Sequence, residues 1–186
     1  MNRDKIPITA FLVLGLACSC VLGSLGCAKK EIINLNSKGK NIICFGDSVS
    51  FGYGVNQGED YPSALAKLVG YPVINAGVDG DTSADGLKRI DSEVLDKEPI
   101  LVVVEFGGND FLRKVPLEIT VNNIRKMIDE IQSNGLMVGV VDISAGLLLK
   151  EYHRAFRKIA REKGAIFISS VFNGIITNPR MKVDFF

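Results

Sequence analysis

The stretch 100-ILVVVEFGGND-110 decides the fold. Residues 100–106 form a β-branched-rich, nearly continuous run rather than an alternating one, the pattern of a strand buried on both faces. Two glycines and the pair Asn109–Asp110 then end it in a polar, backbone-permissive turn. Four more runs have the same character: IICF at 42–45, PVINA at 72–76, MVGVVDI at 137–143 and AIFISSV at 165–171.

Between the runs lie helical patterns. Leu117, Val121, Ile124, Ile128 and Ile131 recur at steps of three and four, one face of a helix, with Gly135 as its stop. Over 82–95, Thr82 and Asp85 have capping-box spacing, and Leu87, Ile90 and Val94 face inward. Leu149, Tyr152, Phe156 and Ile159 form another stripe, ended by Gly164. Asp60 before YPSALAKLV reads as the cap of a shorter helix. This strand–helix alternation predicts an α/β fold, a parallel sheet with right-handed crossovers, and chemistry at the carboxyl ends of its strands.

The residues just after the strands are therefore the ones to inspect. They are GDSVSFGYG at 46–54, NAGVDGDTS at 75–83, GGND at 107–110 and, after the fifth run and a loop, Val183–Asp184. Ser48 follows the first strand with its hydroxyl at the sheet edge; a serine hydroxyl needs a base to act as a nucleophile. Taken singly, Ser48 also reads as a helix N-cap. Asn109 offers a neutral NH₂ donor suited to an oxyanion, and taken singly also reads as a turn asparagine. Gly80 offers a backbone N–H unobstructed by a side chain. Asp81 and Thr82 read as caps of the following helix. A Ser, a Gly and an Asn at the ends of successive strands have the parts of an acyl-transfer site.

The whole chain has 186 residues, 47% of them hydrophobic, and a net charge of +1. That is one domain with a core, and no basic patch argues for nucleic acid. No G-x-x-x-x-G-K-[ST] or G-x-G-x-x-G motif occurs, and Ser48 lacks the G-x-S-x-G elbow because position 50 is Ser. Residues 1–26 read as a signal peptide: Arg3 and Lys5 precede an uncharged run from Ile6 to Ala28, and GSLGC ends at Cys27. The layout resembles a bacterial lipoprotein signal with Cys27 as the lipidated residue. The same run, left uncleaved, also reads as a membrane anchor. Either way the expectation is an exported, membrane-tethered domain of the cell envelope. Loss of residues 1–26 takes away Arg3, Asp4 and Lys5 and leaves a neutral chain. Residues 27–40 form a polar tether and 41–186 the domain. Cys44 alone of the four cysteines lies in the domain, in an apolar run, so neither a disulfide framework nor a cysteine metal site is expected.

The blocks FGDSVSFGYG, NAGVDGDTS and VVVEFGGND resemble the SGNH, or GDSL, hydrolase family, closest to its small bacterial arylesterase, thioesterase and lysophospholipase branch. The resemblance spans about residues 41–184. It implies a three-layer α/β/α sandwich with a five-stranded parallel sheet in flavodoxin-like order. It implies hydrolysis of an acyl ester or thioester through an acyl-Ser48 intermediate, with Gly80 and Asn109 completing the oxyanion hole. It implies a small acyl-ester substrate, no cofactor and no metal. Val49 stands where the family name has Leu, a change that touches packing only.

The family's last block is Asp-x-x-His, in which Asp orients the base. Asp184 fits its first position and is followed by Phe185 and Phe186, so the expectation is a chain that stops one residue before its histidine and lacks the closing helix, with little activity as written. His153 is the one histidine present; it lies in a helix after the fourth strand, reads as a helix-surface or margin residue and carries no catalytic assignment. The competing reading is an inactive SGNH-fold binding domain or a degenerate gene fragment.

Overall fold

The computed structural model describes residues 31–145, 149–169 and 171–172. The expected signal segment 1–26, Cys27 and Asp184 lie outside these residues. Five parallel strands form one sheet in the order β2-β1-β3-β4-β5: β1 (Asn41–Gly46), β2 (Val73–Gly77), β3 (Pro99–Glu105), β4 (Met137–Val141) and β5 (Ile166–Ile168). This is the flavodoxin-like order. Register aligns Gly46 with Gly77 on one side and with Glu105 on the other, so three strand ends meet in one row.

The helices are α1 (Ser48–Phe51), α2 (Tyr61–Val69), α3 (Ser83–Lys88), α4 (Ile90–Glu93), α5 (Gly108–Leu112), α6 (Leu117–Ser133) and α7 (Lys150–Lys163). Alternation along the strands assigns the two faces. Ile43, Phe45, Val102, Val104, Val138 and Val140 pack with Ile124, Met127, Ile128 and Ile131 of α6 and Phe156 and Ile159 of α7. Each such large side chain, fully buried, contributes about 1.5–3 kcal/mol. Cys44 points the other way, toward Tyr61 at the start of α2, where burial pushes its thiol up to about 11. It is the small core residue its apolar run suggested.

The capping signals act as read. Asp60 accepts from the Ser63 amide at 2.9 Å, and Thr82 and Asp85 cap each other's backbone. Gly164, with φ +62°, ends α7. Two features differ from the sequence expectation. The helix over 82–95 is broken at Arg89, whose backbone leaves helical geometry (φ −113°, ψ 11°). Strands β2 and β5, at the two edges of the sheet, are only partly buried despite their apolar composition. Residues 31–40, read as part of a tether, are hydrogen-bonded to the domain: the Ile33 amide donates to the Gly164 carbonyl at 2.8 Å, and Asn34 Nδ2 to the Gln132 and Leu136 carbonyls.

Candidate active site

The carboxyl edge of the sheet holds a cavity of about 270 Å³. Its polar lining is Asp47, Ser48, Glu105 and Asn109; its apolar lining comes from Val49, Phe111, Leu112, Ile143, Leu149 and Phe172. A larger space of about 800 Å³ lies between residues 31–38 and Gly135. Its lining holds no Ser48, Gly80 or Asn109, so the smaller cavity is the one with the candidate chemistry.

Ser48 is the first residue of α1, a helix of four residues. The cap is the residue before it: Asp47 Oδ1 accepts from the Val49 amide at 3.1 Å, and the Ser48 hydroxyl donates to the same oxygen over a long 3.5 Å. Ser48 is therefore not the cap, and its hydroxyl is left at the cavity wall.

Asn109 reaches the second loop. Its Nδ2 donates to the Asp81 carbonyl at 3.0 Å. A carboxamide NH₂ carries two hydrogens, and this contact uses one. Arg113, one turn on, donates to the Gly80 carbonyl at 2.8 Å. Gly80 itself has φ +81°, a conformation open to glycine and strained for a residue with a Cβ. The structure thus brings Ser48 and Asn109 to one cavity and ties the Gly80 loop to Asn109 through Asp81; Gly80 is not among the lining residues.

Asp81, expected to cap α3, does something else. Arg89 Nε donates to its Oδ2 at 2.7 Å, while the other guanidinium nitrogens donate to the carbonyls of Ala76 and Gly46 at 2.9 and 3.0 Å. The guanidinium also stacks over Phe45 at 4.6 Å from the ring centre. One half-buried arginine therefore clamps the ends of β1 and β2 to the Gly80 loop, and the helix break at Arg89 coincides with that reach.

Asp110 pins the third loop from behind. It accepts from the Ser83 amide at 2.8 Å, from the Ser83 hydroxyl at 2.5 Å and from Thr120 Oγ1 at 3.0 Å, and Asn123 donates to Ser83 Oγ. The residue after Asn109 is thereby fixed to α3 and α6 at once.

His153 has a partner the sequence did not announce. Its Nδ1 lies 2.7 Å from Asp142 Oδ2, just past the end of β4. The imidazole is half-buried and lines a separate space with Arg154, Arg157, Lys158 and Arg161, away from the Ser48 cavity lining. Asp142 carried a signal, an acid directly after an apolar strand at the catalytic edge, and the sequence reading passed over it.

Comparison with known proteins shows the family and the fold. Residues 44–183 match the model of the GDSL-like lipase/acylhydrolase family. The esterase TesA of Pseudomonas aeruginosa is 25% identical over 160 residues, covering 81% of this chain and 80% of that protein. An arylesterase of Vibrio mimicus is 28% identical over 155 residues, 78% of each chain. The crystal structure of AlinE4, an SGNH-hydrolase family esterase, superposes with a TM-score of 0.66 at 32% identity, covering 80% of this chain and 86% of that one. The chain belongs to the GDSL-like lipase/acylhydrolase family, and its fold is that of the SGNH-hydrolase esterase structures.

Proposed function

We propose that the protein hydrolyses a small acyl ester or thioester through a covalent acyl-Ser48 intermediate. Ser48 Oγ attacks the carbonyl carbon and gives its proton to a base. The oxyanion that forms is held by the second hydrogen of Asn109 Nδ2 and by the backbone N–H groups of Ser48 and Gly80. Collapse of this intermediate expels the alcohol or thiol, and water then releases the acid. In the family this base is the histidine of the Asp-x-x-His block, and by that resemblance Asp184 is the acid that would orient it.

The observation that carries this reading is that Ser48 and Asn109, distant in sequence, line one cavity at the strand ends. Its apolar lining suits the acyl group. Its volume, below the roughly 300–1,000 Å³ of drug-sized ligand sites, favours a short acyl group over a long chain. An inactive binding domain of the same fold competes with this reading. A fluorophosphonate probe applied to the protein made from its natural gene separates the two. The expected result is a single adduct, mapped to Ser48, abolished in Ser48→Ala together with hydrolysis of a p-nitrophenyl acyl ester; the rate loss is about 10⁴–10⁶-fold. A folded protein that neither labels at Ser48 nor turns over short-chain esters is the binding domain.

A further inference from the structure

A buried acid that the proposed reaction does not use lines the same cavity as Ser48. Glu105, the last residue of β3, is 2% exposed, and so is Asp47. The Asp47 amide donates to the Glu105 backbone carbonyl at 3.2 Å, so the two residues are neighbours across β1 and β3, and each carboxyl acts on the other's ionisation. Two like charges buried together repel, which favours one proton between the two acids. We propose that Glu105 carries that proton and donates it to the ionised Asp47, so that Glu105 is a positioning residue for the nucleophile; this rests on the reading of Ser48 as the nucleophile.

The surroundings place the proton on Glu105. Ser50 Oγ donates to Glu105 Oε2 at 3.0 Å, and Tyr61 OH sits 3.1 Å from Ser50 Oγ. Ser50 is one donor favouring a charged Glu105; Asp47 accepts from two, the Val49 amide and the Ser48 hydroxyl, which favour its charged form more. The groups acting on the pair are acids or neutral. Asp110 on α5 acts on Asp47, Tyr61 on α2 faces Glu105, and Cys44 on β1 lies beside Tyr61. Arg89 touches the Gly46 carbonyl but is ion-paired with Asp81. Burial raises both carboxyls: on Glu105 the neighbouring Asp47 charge adds to it and holds that group well above the usual range, whereas on Asp47 the bonds from Val49 and Ser48 offset part of the rise.

Gly46 makes room for this arrangement. A Cβ there would stand 2.1 Å from Ser50 Oγ and 2.7 Å from Glu105 Oε2. The chain Tyr61–Ser50–Glu105 therefore threads past the backbone of β1 toward Asp47, whose Oδ1 the Ser48 hydroxyl contacts. Moving Glu105 moves Asp47, and Asp47 sets both the α1 cap and the serine.

Glu105→Gln and Glu105→Leu test this. The amide of Glu105→Gln keeps a donor toward Asp47; the leucine removes it at similar volume. Glu105→Gln is expected to hold kcat within a few-fold of wild type, whereas Glu105→Leu loses about 10–100-fold in kcat with KM unchanged, the usual cost of removing a group that orients a reacting one. Infrared spectroscopy at neutral pH is expected to show a protonated-carboxyl band in the wild type that Glu105→Gln abolishes. The raised Glu105 carboxyl binds its proton more tightly in the folded state than in the unfolded one, so stability falls as pH rises from the ordinary glutamate range through the folded value. Glu105→Gln flattens that fall. A folded Glu105→Leu with wild-type kcat, or no carboxyl band sensitive to Glu105→Gln, overturns the proposal. The infrared and stability arms decide it even if Glu105→Leu does not fold. Failure of wild-type Ser48 to label sinks the esterase reading instead, and the infrared band remains a separate result.

Discussion

At the β1–β3 end of the Ser48 cavity stand Asp47, Glu105 and Asn109; at the β4–β5 end stand Ile143, Leu149 and Phe172. The first group is tied down by named bonds. Asn109 holds Asp81, Arg89 clamps Asp81 to two strand ends, and Asp110 anchors the Asn109 loop to α3 and α6. The second group meets the cavity through hydrocarbon. Directional bonds hold atoms to tenths of an ångström, which charge stabilisation in a transition state requires. Apolar contact is non-directional and tolerates a change of shape at modest cost. If Ser48 is the nucleophile, the contrast gives rate to one wall and choice of acyl group to the other; Asn109→Ala and Ile143→Ala strike one wall each, and His153→Ala strikes neither.

With the nucleophile left in place, the largest effect is expected from Asn109→Ala. It removes the carboxamide that faces the cavity and the bond to the Asp81 carbonyl. Loss of an oxyanion donor costs about 10²–10³ in kcat. KM for a p-nitrophenyl ester should hardly change, because the ground-state carbonyl gains little from this donor. A variant whose KM rises while kcat stands would move Asn109 from the rate wall to the binding wall.

Ile143→Ala acts on the opposite wall. Ile143 is buried at the cavity and its truncation opens space beside Leu149 and Phe172. Recognition of a methylene is worth about 1–3 kcal/mol, so the ratio of kcat/KM between a longer and a shorter acyl ester should shift toward the longer by about tenfold. Measured across a C2–C8 ester series, an unchanged preference with a lower kcat at every length would erase the division of labour between the walls.

The division was only half legible in the sequence. Periodicity and caps carry the elements, because Ile124, Ile128 and Ile131 or the pair Thr82–Asp85 act over short range. The same holds for Ser48 and Asn109, which advertise themselves by following strands. Glu105 does not. Inside ILVVVEF it reads as one more strand residue, and its neighbours follow from the register that sets Gly46 opposite it and from the parity that turns it toward Tyr61 and Ser50. Arg89 looks like a residue on the polar side of a continuous helix; its three bonds to Asp81, Ala76 and Gly46 come from elements brought together only by the sheet. What stayed hidden is long-range pairing of buried polar groups, for which a single sequence carries no period.

The smallest effect on rate is expected from His153→Ala, which also tests the limit of the catalytic edge. His153 and Asp142 form an acid–imidazole pair at 2.7 Å, but the ring borders the space lined by Arg154, Arg157, Lys158 and Arg161. Burial works against ionisation of Asp142; the hydrogen bonds from His153 and Ser144 outweigh it and hold the carboxyl below its ordinary range. A lowered carboxyl contributes stability that is present above the unfolded-state value and lost as pH falls through the folded one. His153→Ala removes one of those bonds from a buried acid, so the loss expected is about 1–3 kcal/mol of stability at neutral pH, with a shallower decline toward acid. Turnover should stay within about threefold, since substitutions away from the reacting atoms leave transition-state binding intact. A fall of several powers of ten in kcat, in a protein with a normal unfolding midpoint, would make His153 the base that takes the Ser48 proton and would carry the rate-setting wall across the sheet to β4.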